Sequence, residues 1–333
     1  MSTYLVTGGC GFIGSYVMKE LLKRSDTDKI YQIDKMGIGS SEDNIINDDR
    51  VENYCFDLAD DKLWKLHMAN PFQFIDREID YVLHLAAESH VDRSIEGPLA
   101  FIDSNVRGTA NVLELVKEHK CRMVHVSTDE VYGHLLLEES PFLENYALKP
   151  RSPYAASKAS SDLIVQSYIN TYNIDASITR CCNNYGPRQH TEKLIPTAIN
   201  ALINGKKIPV YGTGENVREW IHAEDHAKAI IEVAHDKNKE IYNIQGSKSL
   251  TNIDLVNLII DKLLQRYPQF KREPEPELYF PFSSYIDFVE DRLGHDFRYE
   301  LGTLHDKLDS VKNQRDFGLE DTIDYYVNLH QKT

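Results

Sequence analysis

Short, continuously apolar runs alternate with longer stretches of helical texture through the first half of this chain. The apolar runs lie at residues 4–7, 30–34, 51–56, 81–86 and 123–127, and each has the length of a strand. Between them, residues 12–23, 61–69 and 98–119 carry apolar positions at helical spacing. Strands that are apolar on both faces, separated by helices, predict a parallel sheet covered on both sides. A helix over 154–172 and a strand over 174–179 extend the same pattern. After about Cys181 the texture changes, with more Gly, Pro and short segments, and residues 269–277 read as an exposed, charged loop. The expected architecture is α/β: a doubly wound parallel sheet over residues 1–180, with segments near 215–245 returning to it. A smaller substrate-binding part would occupy most of 181–333.

Composition narrows the class. With 333 residues, 41% hydrophobic and 27% charged, the chain has the make-up of an ordinary globular protein. Its net charge of −15 argues against nucleic acid or an anionic membrane as partner, since both need clustered Lys and Arg. No stretch approaches the roughly 18 to 20 apolar residues that span a bilayer, and the N-terminus enters a strand with no basic leader. Five cysteines (Cys10, Cys55, Cys121, Cys181 and Cys182) show neither zinc spacing nor a disulfide framework. Reduced thiols in a cytoplasmic protein are the expectation, with no metal.

The first strand runs into Gly8-Gly9-Cys10-Gly11-Phe12-Ile13-Gly14, which opens a helix. Such a loop lets the backbone approach a pyrophosphate, whose charge sits on the free amides at the helix N-terminus. Asp34 ends the next strand, at the distance where a carboxylate holds a ribose diol and repels a 2′-phosphate. The prediction is a Rossmann-type site for NAD, with Lys35 as the one nearby group that would tolerate a phosphate.

Two further clusters carry chemistry. Tyr154 and Lys158 stand one helical turn apart on one helix face. A phenol with an ordinary pKa of about 10 becomes a useful base when a neighbouring ammonium and a positive nicotinamide favour its phenolate. Asp129 and Glu130 follow the 123–127 strand, and adjacent carboxylates offer one group to take a proton and one to give it. Oxidation alone needs no such pair. Together the two clusters point to oxidation coupled to elimination of water.

The glycine loop, Thr128, Tyr154 and Lys158 resemble the extended short-chain dehydrogenase/reductase superfamily. The runs 84–94, 127–133, 152–162, 183–187, 192–196 and 291–299 resemble, more narrowly, the nucleoside-diphosphate-glucose 4,6-dehydratases. That resemblance implies a three-step reaction on tightly held NAD. Tyr154 would deprotonate the glucose 4-hydroxyl, assisted by Thr128 and Lys158. Glu130 would remove the C5 proton and Asp129 would protonate the departing C6 hydroxyl, before hydride returns to C6. It further implies that Gly8, Gly11, Phe12, Ile13, Gly14, Asp34, Lys35, Asp57, Leu58, Leu85, Ala86, Ala87, Ser104 and Asn184 hold the cofactor with Tyr154 and Lys158. Ser89, Asn183, Lys193, Leu194, Pro209, Tyr211, Arg218, Asn252, Arg292 and His295 would hold the sugar nucleotide with Thr128, Asp129 and Glu130. The arginines suit a pyrophosphate, because a guanidinium meets its oxygens as a planar fork.

Departures from the family pattern fall at residues 188–191 and at Leu293, near the nucleotide. They leave dTDP-glucose and UDP-glucose both open as substrates, for rhamnose or other deoxysugar synthesis. The rival enzymatic reading is an epimerase or decarboxylase on the same scaffold, which would not need Asp129–Glu130. A non-catalytic NAD-binding protein is the alternative of another class. The family also implies a homodimer through the 98–119 and 154–172 helices, where Phe101, Val106, Val112 and Leu115 serve either that interface or the sheet.

Overall fold

The computed structural model describes residues 1–60, 75, 77–272, 282–306 and 308–332. Seven strands form a central sheet: β1 (Ser2–Thr7), β2 (Thr27–Ile33), β3 (Val51–Tyr54), β4 (Tyr81–His84), β5 (Arg122–Thr128), β6 (Asp175–Cys181) and β10 (Ile241–Ile244). Their order is β10-β6-β5-β4-β1-β2-β3, and every neighbouring pair is parallel. This is the doubly wound Rossmann-type sheet that the apolar runs predict. The strand order reverses between β1 and β4, so the crevice beyond their C-terminal ends is the place for a ligand.

Alternation along β1 shows how both faces are covered. Tyr4 and Val6 join the core under the Phe12–Lys23 and Ala223–His235 helices, while Leu5 points into the opposite core with Val112, Leu115 and Val165. Phe101, Val112 and Leu115 are therefore buried within the chain, and Val106 is half-buried. Arg122, itself buried, ties the edge of the sheet together: its guanidinium donates to the carbonyls of Val233 (3.0 Å), Ala234 (2.9 Å) and Asn238 (2.8 Å).

Helical structure over 98–119 is interrupted. Pro98–Phe101 and Gly108–His119 are α-helical, but Ile102–Arg107 widens into a π turn. Such a turn re-aims side chains and collects at functional sites. Here it presents Asn105 to Glu88 and Ser157. The helix expected at 61–69 lies outside the described residues, as does the later part of the expected loop at 269–277.

The second layer of structure contains β7 (Asn183–Tyr185), β9 (Val217–His222) and β11 (Lys248–Thr251) as one sheet, and β8 (Ile208–Tyr211) with β12 (Ile286–Val289) as another. Three helices, Leu194–Ile203, Asn252–Arg266 and Glu320–His330, pack over them around a separate core that includes Ile199, Leu202, Ile259, Leu263 and Tyr326. Among the described residues no helix is long and apolar enough to cross a membrane.

Candidate active site

One cavity of about 510 Å³ runs from the C-terminal ends of β1 and β4 to the β8–β12 pair, a size ordinary for a cofactor or ligand site. Every residue that the sequence nominates for chemistry, cofactor or substrate lines it. The chain order scatters these residues from Gly8 to His295; the sheet's strand order and the second layer bring them to one wall.

At the β1 end the cavity fits a dinucleotide. A Cβ on Gly14 would stand 2.0 Å from the Gly8 carbonyl oxygen, so only glycine lets the helix start so close to the loop. Gly8 has φ of +74°, which also favours glycine. The Phe12–Lys23 helix has Gly11 at its N-cap with no side chain capping it, leaving its first amides for an anion. Asp34 is buried and accepts from the Cys10 amide (3.0 Å), the Met36 amide (2.9 Å) and Ser40 Oγ (2.8 Å). That network fixes the carboxylate at the cavity wall. Lys35 does not stand free for a phosphate: its ammonium pairs with Glu88 at 2.7 Å and lies 3.9 Å from Asp57. A dinucleotide without a 2′-phosphate is the better fit.

The middle of the cavity holds the reactive groups. β5 delivers Thr128 and the turn Asp129–Tyr132 at its end, and the Pro153–Tyr172 helix delivers Tyr154 and Lys158. Ser152 caps that helix through the Ala155 amide, and Ser94 Oγ accepts the Tyr154 amide at 3.0 Å. Thr128 has a single hydroxyl proton and two candidates for it. Asp129 Oδ1 lies 3.1 Å away, and the Tyr154 oxygen is also in hydrogen-bonding reach.

The two acids stand in different surroundings. Asp129 is almost wholly buried, its Oδ2 has no hydrogen-bond partner among the described residues, and burial followed by the Glu130 charge pushes its carboxyl well above the ordinary range. Burial raises Glu130 too, but Arg292, Lys193 and Arg218 pull against it. The arrangement separates a neutral acid from a carboxylate facing cations.

Lys158 departs from expectation. Its ammonium donates to the Val126 carbonyl at 2.8 Å, and burial lowers its pKa to about 8, opposed by Asp162. The protein's own groups raise the Tyr154 pKa, through burial first and then Glu130, so the lowering expected of ammonium and nicotinamide together falls to the nicotinamide. Burial and the carboxyl groups of Glu130, Asp129 and Asp162 outweigh the Thr128 hydroxyl, which pulls the other way. A phenolate here requires a further positive charge in the cavity.

Behind these groups lies a buried polar cluster that no motif announces. Asp162, one turn past Lys158, accepts from Arg180 Nε at 2.9 Å and stands 3.4 Å from His125 Nε2. His125 stacks on His84, and burial holds both rings neutral, His125 down to about 4.

Toward β8 and β12 the cavity is cationic. Lys193 donates to the Ser89 carbonyl, and Arg292 has its Nε unpartnered among the described residues. Arg218 lies flat on the Tyr299 ring, 4.4 Å from its centre, and gives hydrogen bonds to the carbonyls of Val217, Phe297 and Asp296. Much of Arg218 is therefore a clamp on this wall. His295 is held by Asp291 at 2.7 Å, and burial lowers its pKa to about 4. Its Nδ1–H donates to the carboxylate, so the neutral ring offers the cavity an acceptor. It could donate to a phosphate only after taking up a proton. Glu88, Asn105, Asp162, Cys181, His226 and Tyr299 are functional-site neighbours that the nominated set lacks.

This fold and cavity are those of an extended short-chain dehydrogenase/reductase. The family model described as GDP-mannose 4,6 dehydratase matches residues 5–278. The chain is 39% identical to dTDP-glucose 4,6-dehydratase 1 of Escherichia coli (strain K12), over 97% of this chain and 92% of that protein. It is equally 39% identical to the low-salt glycan biosynthesis protein Agl12 of Haloferax volcanii, over 97% and 98% of the two chains. Among solved structures, DesIV of Streptomyces venezuelae, a dTDP-glucose 4,6-dehydratase with NAD bound, superposes with a TM-score of 0.85 at 37% identity, covering 99% and 98%. A UDP-N-acetylglucosamine 4-epimerase from Methanobrevibacter ruminantium superposes at 0.80 with 27% identity, covering 98% and 99%. The chain belongs to the nucleoside-diphosphate-sugar 4,6-dehydratase family.

Proposed function

We propose that the protein is an NAD-dependent hydro-lyase that converts a nucleoside-diphosphate-glucose into its 4-keto-6-deoxy derivative, a product suited to rhamnose or other deoxysugar synthesis. The observation that carries this reading is the pair of buried Asp129 and half-buried Glu130 beside Tyr154, Thr128 and Lys158 in one cavity. Gly8, Gly11, Gly14 and Asp34 would hold NAD, which when bound would supply the hydride acceptor for C4, the hydride donor for C6 and the positive charge that Tyr154 lacks.

Tyr154 then takes the proton of the 4-hydroxyl, with Thr128 donating to the phenolate oxygen and Lys158 holding positive charge behind it. A ketone at C4 acidifies the hydrogen at C5. Glu130, kept nearer the ordinary carboxylate range by Arg292, Lys193 and Arg218, is the group suited to remove it. Asp129, kept protonated by burial and by Glu130, is the group suited to give a proton to the departing C6 oxygen. Arg292, Lys193 and Arg218 hold the pyrophosphate, which partly offsets the cost of burying them together.

The base is thymine or uracil. The Escherichia coli relative and DesIV speak for dTDP-glucose, and one methyl group is worth only about 1 kcal/mol in a fitted pocket. A homodimer is proposed through Leu99, Ile102, Leu163 and Tyr172, which stand exposed on the two helices next to the sheet; gel filtration of the purified chain checks it.

The deciding experiment incubates purified protein with dTDP-glucose and with UDP-glucose separately, and follows product mass. Loss of one water from either substrate is expected, and the initial rates rank the bases. An epimerase would leave the mass unchanged, and that result would overturn the proposal.

A further inference from the structure

Arg218, carried by β9, is buried at the cavity wall, and a guanidinium has five N–H donors. Nη1 spends its hydrogens on the carbonyls of Val217 at 2.8 Å and Phe297 at 3.2 Å, and Nη2 gives one to the Asp296 carbonyl at 2.7 Å. Among the described residues that leaves the Nε hydrogen and one on Nη2. Two donors on neighbouring nitrogens are enough for a two-point grip on phosphate oxygens. The guanidinium also rests on the Tyr299 ring, 4.4 Å from its centre. Two of the three carbonyls and the ring thus come from residues 296–299, beyond β12. Where that short segment stands decides where the free edge of Arg218 points.

The segment is fixed by a side chain to which the dehydration proposed above gives no part. Asp296 is 3% exposed, and both its carboxylate oxygens are engaged. Oδ2 accepts from the Tyr299 hydroxyl at 2.5 Å, and Oδ1 accepts from Arg151 Nη1 at 2.9 Å. Arg151 directly precedes Ser152, the N-cap of the Pro153–Tyr172 helix that carries Tyr154 and Lys158. His134 Nδ1 lies 3.8 Å from Asp296 Oδ1, but that nitrogen already accepts the Phe297 amide at 3.0 Å and so has no hydrogen for the carboxylate. Asn216 Nδ2 adds a bond to the Asp296 carbonyl at 3.2 Å. A buried carboxylate is a costly way to fill space; this one fastens a ring on which another side chain rests.

We propose that Asp296 is a positioning residue for Arg218. Its carboxylate sets the Tyr299 ring and its carbonyl holds one end of the guanidinium, so the free edge is aimed before any ligand arrives. Through Arg151 the same carboxylate ties that edge to the start of the helix that carries Tyr154, and a pyrophosphate held by Arg218 is thereby placed relative to the reactive groups. The proposal rests on the placement of the pyrophosphate at Arg218 in the reading above. Holding the guanidinium in advance lowers the ordering cost of binding, so the loss on breaking the tie falls on affinity.

The test is a double-mutant cycle on the full chain, read by calorimetry with dTDP as the probe. Tyr299→Phe keeps the ring and removes its tie to Asp296, and Asp296→Asn keeps the shape and removes the charge. Each should weaken dTDP binding roughly tenfold, and KM for dTDP-glucose should rise in step while kcat moves less than about threefold. Arg218→Lys should weaken dTDP binding by roughly tenfold or more, because the planar fork is lost. Adding Tyr299→Phe or Asp296→Asn to Arg218→Lys should then cost less than about twofold further, since both act through a guanidinium that is gone. Unchanged NAD affinity reports that each variant is folded. Parent-like dTDP binding in Tyr299→Phe and Asp296→Asn would overturn the proposal. So would losses that multiply with that of Arg218→Lys, the mark of a wall merely loosened. If Arg218→Lys alone binds dTDP as the parent does, the pyrophosphate placement fails and the proposal with it. If the cycle holds but dTDP-glucose keeps its mass, the dehydration reading fails and the role of Asp296 stands.

Discussion

The two ends of the cavity are built differently. At the reactive end, Thr128, Asp129, Tyr154 and Lys158 come from the end of a central strand and from one long helix, and all four are buried. Each is held by a second group: Ser94 under Tyr154, the Val126 carbonyl under Lys158, and the Asp162–Arg180–His125 cluster beneath them all. At the nucleotide end, Arg292 and His295 sit on irregular chain beyond β12, Tyr211 is at the end of β8, and Leu293 is 78% exposed. Chemistry that tolerates little displacement sits on rigid, over-determined elements; recognition of a base, which tolerates more, sits on loops. The consequence is a division of labour: the reactive end should govern turnover, and the loop end should govern which nucleotide is held and how tightly.

The largest effect expected of that division is at the acid pair. Glu130→Gln and Asp129→Asn should each slow product formation by ~10²–10⁴, while calorimetric binding of dTDP-glucose changes little. Equal losses of binding and turnover would break the comparison. Next comes the supporting cluster. Asp162→Asn removes one partner of a buried ion pair and leaves Arg180 uncompensated, so urea unfolding should show a loss of ~3–5 kcal/mol, a cost with no counterpart at the loop end. Third, Arg292→Lys should raise KM roughly tenfold with kcat within about twofold, because the planar fork is lost but the charge remains.

The smallest effect is one of pH. A carboxyl whose folded pKa is raised keeps a proton that the unfolded chain gives up. Its contribution to stability therefore falls as pH climbs from the ordinary carboxylate range through the raised value. Asn at 129 has no such proton to lose. Asp129→Asn should melt ~2–4 °C higher than the parent at pH 8, and the difference should shrink as pH falls toward the ordinary carboxylate pKa and close below it, where Asp129 is protonated in both states. A Tm difference independent of pH would mean that Asp129 is not the buried neutral acid described here.

Much of this architecture was legible in the chain, for a definite reason. Strands buried on both faces must be apolar throughout, and residues 4–7, 30–34 and 123–127 differ from β1, β2 and β5 only at their ends. The glycine loop was legible because Gly8 and Gly14 have geometric work that other residues cannot do. The π turn at Ile102–Arg107 was not legible, since a single widened turn leaves helical periodicity almost unchanged. Nor was the Asp162–Arg180–His125 cluster, whose members come from one helix and two strands and carry no local signal. His226, which lines the cavity from the Ala223–His235 helix, carried no local signal either. The depth of burial that raises Tyr154 was not legible either, because spacing along a helix reports proximity but not desolvation.

The guanidinium of Arg122, fastened to carbonyls around residues 233–238, has a consequence for how the protein is made. A chain emerging from the ribosome shows β6 with one edge open, and β1 with one face covered only by the Phe12–Lys23 helix, until the Ala223–His235 helix and β10 have also left the tunnel. Open strand edges and bare apolar faces invite association with other chains. A fragment ending near residue 180 should therefore be a client of chaperones and a nucleus for aggregates, whereas one extended past about residue 245 could close its sheet during synthesis.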